Sequence, residues 1–307
     1  MIDPENADTQ APRTRSAETR APLRPASSLM QVDTAGETHP GKVRHNNEDH
    51  FLIARFGRFV ERVATNLPTG DVALRTEEIG YGLLVADGMG GHAAGETASK
   101  LAIRTLIDLA LATPDWILRS DDSSYSKELI RRFKDRFAHI NVALTEVGRS
   151  DPKLRGLGTT LTVTCNLGRD LYIFHVGDSR ACLYRTGRLR QLTRDHTYAQ
   201  VLADQGIIAP EEVATHRMKH VLIQALGSEG WKVEPDVLHL ALEDGDTLLL
   251  CTDGLTDMVP GDEIAAVLAS GRSAADACHL LVDMALRAGG KDNVTVLTAI
   301  YRFPPDG

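Results

Sequence analysis

The chain has 307 residues and a formal net charge of −8, with 42% hydrophobic and 25% charged residues, the balance expected of a globular protein. The acidity argues against a nucleic-acid or membrane-surface partner, since both call for basic protein surface. No apolar run is long enough to span a bilayer and the N-terminus lacks an apolar signal core, so a cytoplasmic location is expected.

Residues 1–28 carry four prolines, mixed charge and only Ile2 and Leu23 as branched aliphatics, a composition that predicts a disordered tail, with a docking or phosphorylatable tail as the alternative. Order is expected from Leu29, with strands at Leu29–Thr34 and His50–Arg55. Residues 57–80 hold the turn signal Pro68-Thr69-Gly70 and no clean period, which predicts an insertion or a long hairpin. Tyr81–Ala86 is almost wholly apolar, as a strand covered on both faces would be. Helical spacing follows in residues 94–112 (Ala98, Leu101, Ala102, Leu106, Leu109) and 125–148 (Leu129, Ile130, Phe133, Phe137, Ile140, Leu144). From Thr159 to Leu192 the pattern is strand-turn-strand, with turns at Gly168-Arg169-Asp170 and Thr186-Gly187-Arg188. Residues 197–230 read as a helical excursion stopped by Gly206 and Gly227. Strands return at 236–241 and 247–252, a helix at 273–287 with Ser273 as N-cap, and a last strand at 293–302. Antiparallel strand runs with inserted helix pairs predict a layered α+β domain over a doubly wound parallel sheet.

Four cysteines, Cys165, Cys182, Cys251 and Cys278, lack metal or redox spacing and read as buried reduced thiols. The acidic residues are more informative. Four strand-like runs meet an aspartate beside Gly or Asn: Asp87, Asp178, Asp253 and Asp292. Carboxylates gathered at one rim of a sheet repel unless cations lie among them, and hard divalent ions prefer oxygen. A calcium-binding structural protein is the weaker alternative, because its ligands would crowd into one loop.

Six blocks occur in order: Arg44-His45-Asn46-Asn47-Glu48-Asp49, Asp87-Gly88-Met89-Gly90-Gly91-His92, Gly156-Leu157-Gly158-Thr159-Thr160, Gly177-Asp178-Ser179-Arg180, Asp253-Gly254-Leu255-Thr256-Asp257 and Gly290-Lys291-Asp292-Asn293. The series resembles the metal-dependent protein phosphatases, the type 2C serine/threonine enzymes, in their bacterial branch, from about residue 30 to 302. The resemblance implies a four-layer αββα sandwich, two antiparallel sheets flanked by helices, as a catalytic domain over 29–303 with a flap at 197–230. A bland helical cap is the alternative for that segment. It also implies two Mn²⁺ or Mg²⁺ ions, and a third in bacterial members.

By position, Asp87 matches the carboxylate bridging both metals, Gly88 offers a backbone carbonyl, and Asp253 and Asp292 match the second metal's carboxylates. Glu48 and Asp49 match residues that hold water around the metals, and Arg44 matches the phosphate-binding arginine, whose guanidinium can clamp two oxygens. Asp178 and Asp257, sharing Asp253, match the third site, although Asp178 could instead pair with Arg180 in a structural turn. Gly156–Thr160 reads as structural. Met89 stands where many eukaryotic members carry a proton-donating histidine, which makes His92 the first substitute and His196 the second.

The implied reaction is hydrolysis of phosphoserine and phosphothreonine by in-line attack of a metal-activated water, without a covalent intermediate. The alternatives are a pseudophosphatase that only binds phosphoproteins, and a hydrolase of small phosphorylated metabolites. The expected partners are phosphoproteins and a separate cognate serine/threonine kinase, and the chain is expected to act as a monomer. Because Gly307 follows the last motif strand closely, no appended sensor, anchor or kinase domain is expected.

Overall fold

The computed structural model describes residues 30–68, 71–90, 93–113, 123–228 and 233–304. The predicted tail 1–28, part of the Pro68–Gly70 turn, His92 and the end of the 197–230 excursion lie outside the described residues. The strands are β1 Gln31–His39, β2 Asp49–Glu61, β3 Arg75–Met89, β4 Gly158–Thr159, β5 Leu161–Leu167, β6 Asp170–Val176, β7 Arg180–Arg185, β8 Arg188–Gln191, β9 Asp236–Ala241, β10 Thr247–Cys251 and β11 Val294–Arg302. The α-helices are α1 Ala93–Ala112, α2 Ser123–Ser150, α3 Tyr198–Asp204, α4 Asp253–Thr256, α5 Gly261–Ala269 and α6 Ala274–Arg287.

One sheet runs β1-β11-β10-β7-β8 and the other β2-β3-β5-β6-β9, with β4 attached to β3. Every described pairing is antiparallel. Side-chain alternation makes the layers. In β3, Leu83 and Val85 face the opposing sheet and, with Ile173 of their own sheet, cluster with Leu250 and Leu297 across the interface. Leu84 and Ala86 point the other way, into a core with Ala98, Phe137 and Phe174 that seats α1 and α2. In β10, Leu248 and Leu250 fill the space between the sheets, while Leu249 and Cys251 pack under α5 and α6 with Val267 and Leu281. The result is the expected four-layer αββα sandwich. It explains why Tyr81–Ala86 and Thr247–Cys251 read as continuous apolar runs rather than alternating ones.

The helices follow their sequence signals. In α2, Leu129, Phe133, Phe137, Ile140 and Leu144 are all buried at three- and four-residue spacing. Ser273 caps α6, accepting from Asp276 N at 3.1 Å. Gly187 turns β7 into β8 with φ of +81°, a conformation that favours glycine.

Two elements differ from expectation, and one open alternative is decided. β1 runs on to His39, because its register with β11 continues to Val294. Residues 57–80 take the hairpin form, one of the two expected alternatives: β2 and β3 stay paired out to Glu61 and Arg75. Helix α5 was not expected at all, although Ile264, Val267 and Leu268 are buried on one face at helical spacing.

Candidate active site

The chain connections at one end of the sandwich surround a cleft of about 900 Å³. The β1–β2 connection brings Arg44 and Glu48, the end of β3 brings Asp87 and Gly88, and the β6–β7 connection brings Asp178. The short helix α4 brings Asp253, Asp257 follows it, and the α6–β11 connection brings Asp292. Of the predicted site residues among those described, these line the cleft, while Asp49 and His196 do not. Asp49 lies beneath the floor, directly opposite Asp87 in the β2–β3 register.

The local structure fixes these groups in place. Asp87 N donates to Thr160 Oγ1 at 2.9 Å, and Asp87 O accepts from Thr160 N at 2.9 Å and Thr159 Oγ1 at 2.8 Å. The Gly156–Thr160 block therefore works structurally, as a clamp on the Asp87 backbone. A side chain at Gly88 would place its Cβ 2.8 Å from Glu48 O and closer still to Gly95 O. Only glycine lets the end of β3, the Glu48 loop and α1 meet this tightly. Asn293 ties the β1–β2 connection to β11: it accepts from Glu48 N at 2.7 Å and donates to Pro40 O at 2.9 Å and Asn46 O at 2.8 Å.

The electrostatics carry the signature of a cation site. Asp49 Oδ2 accepts from Thr252 Oγ1 at 2.8 Å and Thr295 Oγ1 at 2.7 Å, but its buried Oδ1 has no hydrogen-bond partner. Burial, against the two threonine hydrogen bonds, pushes the Asp49 carboxyl up to about 7. Burial and then the Asp253 charge push Asp178 up to about 8, and burial and then Asp49 hold Asp87 well above the carboxylate range. A cluster of acids this reluctant to ionise becomes favourable once positive charge enters it. The carboxylate oxygens suit Mn²⁺ or Mg²⁺. Arg44 supplies the cleft's guanidinium; its Nη2 donates to Asp292 Oδ2 at 2.7 Å while the side chain stays 58% exposed and free to meet a ligand.

Several neighbours sort themselves out. Arg180 turns away from Asp178 and holds buried Asp195 with contacts of 2.6, 3.0 and 3.1 Å, so the Asp178–Arg180 turn is not formed. His196 is buried outside the cleft, accepting from Gly177 N at 3.1 Å and lying 3.2 Å from Asp236, which removes it as a proton donor to the site. Cys251 is buried and its thiol is pushed up by burial, so it is no nucleophile. Met89 lines the cleft and offers no proton. Sequence reasoning missed His220. It reaches in from the 197–230 segment, with Nδ1 3.2 Å from Asp253 Oδ2 and Nε2 3.1 Å from Asp257 Oδ2. Those two hydrogen bonds raise its ring to about 10. Lys219 beside it donates to Asp257 Oδ1 at 2.9 Å. No local spacing announces His220, because its partners lie more than 30 residues on.

Comparison with known proteins agrees with this geometry. The profile of the protein phosphatase 2C family matches residues 61–284. The serine/threonine protein phosphatase PstP of Mycobacterium tuberculosis is 38% identical over 244 residues, 78% of this chain but 45% of the relative, so the match spans less than half of that protein. The serine/threonine phosphatase stp of Listeria monocytogenes is 35% identical over 260 residues, 85% of this chain and 92% of the relative. Among solved structures, the catalytic domain of PstP in complex with two manganese ions aligns with a TM-score of 0.68 and 35% identity, covering 89% of this chain and 99% of that one. With the fold, the ordered motifs and their convergence in one cleft all in agreement, the chain belongs to the protein phosphatase 2C family.

Proposed function

We propose that this chain is a metal-dependent protein serine/threonine phosphatase that hydrolyses phosphoserine and phosphothreonine. The observation that carries the proposal is the meeting of Asp87, Asp253 and Asp292, from three distant segments, beside Arg44 in one cleft. Asp87, Asp253, Asp292 and the Gly88 carbonyl would hold two Mn²⁺ or Mg²⁺ ions, with Glu48 and Asp49 orienting water around them and Asp178 and Asp257 beside a third ion. When bound, such ions activate water and neutralise phosphoryl charge, as in other binuclear hydrolases.

The rest of the chemistry belongs to the chain. Arg44 can trade its contact with Asp292 for two parallel hydrogen bonds to phosphate oxygens, which sets the phosphorus in line for attack. Thr252 and Thr295 hold Asp49 on one oxygen and leave the other available. The clamp on the Asp87 backbone and the Asn293 bridge keep donors from three segments in register, so little reorganisation is needed at reaction. The catalytic unit is read as 29–303, with 197–230 as the flap over the cleft. Among the described residues no helix is long and apolar enough to cross a membrane. We place the chain in the cytoplasm as a monomer acting on phosphoproteins, including targets of a separate serine/threonine kinase.

The test is Asp253→Ala assayed on a phosphothreonine peptide with Mn²⁺. Turnover should disappear while the circular-dichroism melt stays that of a folded protein. Full activity in the folded variant would overturn the assignment.

A further inference from the structure

The geometry points to His220 as a metal ligand: a nitrogen donor that the 197–230 segment delivers to a divalent transition-metal ion held with Asp178 and Asp253. This rests on the reading above that divalent cations occupy the cleft, and it adds a protein ligand from the segment that covers it.

Three observations support it. First, one donor atom each from Asp178, His220 and Asp253 lies within 4.8 Å of the others, close enough to share one ion. Second, Asp178 is only 8% exposed and lines the cleft, yet among the described residues its carboxylate receives no ion pair and no hydrogen bond from another residue. The neighbouring guanidinium that could have satisfied it is committed to Asp195. An acceptor so placed lacks a partner that a cation would supply. Third, the two ring nitrogens of His220 have different surroundings. Nδ1 faces Asp253 at 3.2 Å, and Nε2 faces Asp257 at 3.1 Å. Metal-bound histidines commonly donate their remaining N–H to a carboxylate, which fixes the tautomer and aims the other nitrogen. Asp257 fills that part, and its second oxygen is already taken by Lys219 at 2.9 Å. Asp257 therefore orients the ligand and does not hold the ion itself.

The proton balance is simple. The ring lies between two carboxylates, with one nitrogen near each. On coordination Nδ1 gives its proton to solvent and its lone pair to the ion, while Nε2–H stays on Asp257. Two consequences follow. An imidazole among carboxylates favours Mn²⁺, Co²⁺ or Zn²⁺ over Mg²⁺ and Ca²⁺, which prefer oxygen. The ion also pins the segment, because Val221 and Ile223, next to His220, are tied by backbone hydrogen bonds to Tyr198 and His196 at 2.8 and 2.9 Å.

The experiment uses the full chain, stripped with chelator and reloaded with Mn²⁺, read by pulsed electron paramagnetic resonance. Wild type should show ¹⁴N coupling to bound Mn²⁺. His220→Asn should lose it, and His45→Asn, at the other histidine lining the described cleft, should keep it. Bound Mn²⁺ without nitrogen coupling in wild type, or coupling that survives in His220→Asn, overturns the proposal. Failure of the underlying cation reading looks different, since then no Mn²⁺ is retained at all. Trypsin cleavage after Arg217 gives a readout independent of catalysis. Mn²⁺ should slow it in wild type and lose that effect in His220→Asn, and equal protection in both would count against the ligand.

Discussion

Asn293 is the residue through which the Arg44 loop is most directly held, and replacing it with alanine tests that claim quantitatively. Its side chain is part of a 7% exposed residue and makes three hydrogen bonds to the backbone of Glu48, Pro40 and Asn46, at 2.7, 2.9 and 2.8 Å. A net contribution of about 1 kcal/mol per bond, plus the cost of leaving part-buried partners unpaired, gives a loss of about 3–5 kcal/mol. At roughly 2–4 °C per kcal/mol for a domain of this size, the melting temperature should fall by about 6–20 °C. Aspartate keeps the acceptor for Glu48 N but sets an oxygen against two carbonyls, so Asn293→Asp should be at least as destabilised as Asn293→Ala. Urea unfolding in excess chelator removes any cation contribution. Phosphopeptide kinetics at low temperature, where the variants are folded, should show kcat/KM falling in both, since Arg44 and Glu48 ride the loosened loop. An alanine variant within about 1 kcal/mol of wild type, or an aspartate variant more stable than it, would refute the reasoning.

Other outcomes follow from the same contacts. Arg44→Ala should lower kcat/KM on a phosphothreonine peptide by about 10–100-fold, the worth of a charge-assisted hydrogen-bond pair; an unchanged value would exclude Arg44 from phosphate binding. Arg180→Ala strands buried Asp195 and should cost about 3–5 kcal/mol in urea unfolding; a neutral result would mean that the contacts of 2.6 to 3.1 Å do not form in solution. His175 is buried between Thr162 Oγ1 at 2.9 Å and Arg194 O at 3.0 Å, and burial first, then the neighbouring His196, lower its ring to about 3. The unfolded chain takes up this proton near pH 6.5 and the native one refuses it. The contribution is therefore complete above about pH 6.5 and is lost as pH falls toward about 3, amounting to about 5 kcal/mol across the window. His175→Gln should flatten that slope in acid-denaturation series, and an unaltered slope would contradict it.

What the chain reveals in one dimension depends on how local the cause is. Tyr81–Ala86 and Thr247–Cys251 were legible as strands because both faces of each are buried, which leaves a continuous apolar run. Asp87, Asp253 and Asp292 were legible because each sits beside Gly or Asn in an ordered motif. Helix α5 was not, although its buried face has helical spacing, because nine residues make a weak period between two motif-rich stretches. The long-range polar contacts were invisible. Thr252 and Thr295 meet Asp49 across 203 and 246 residues, and His220 meets Asp253 across 33. Arg180 prefers Asp195 to the nearer Asp178 because β7, β8 and the turn after them fold the first two together. Such pairings are decided by strand register, which no spacing within a single segment encodes.

The central claim is that the converged carboxylates work only with divalent cations among them. The most direct measurement is hydrolysis of a phosphothreonine peptide by the chelator-stripped chain, before and after Mn²⁺ is restored. The account predicts no turnover in excess chelator and recovery that saturates with added Mn²⁺. An undiminished rate in chelator would contradict it.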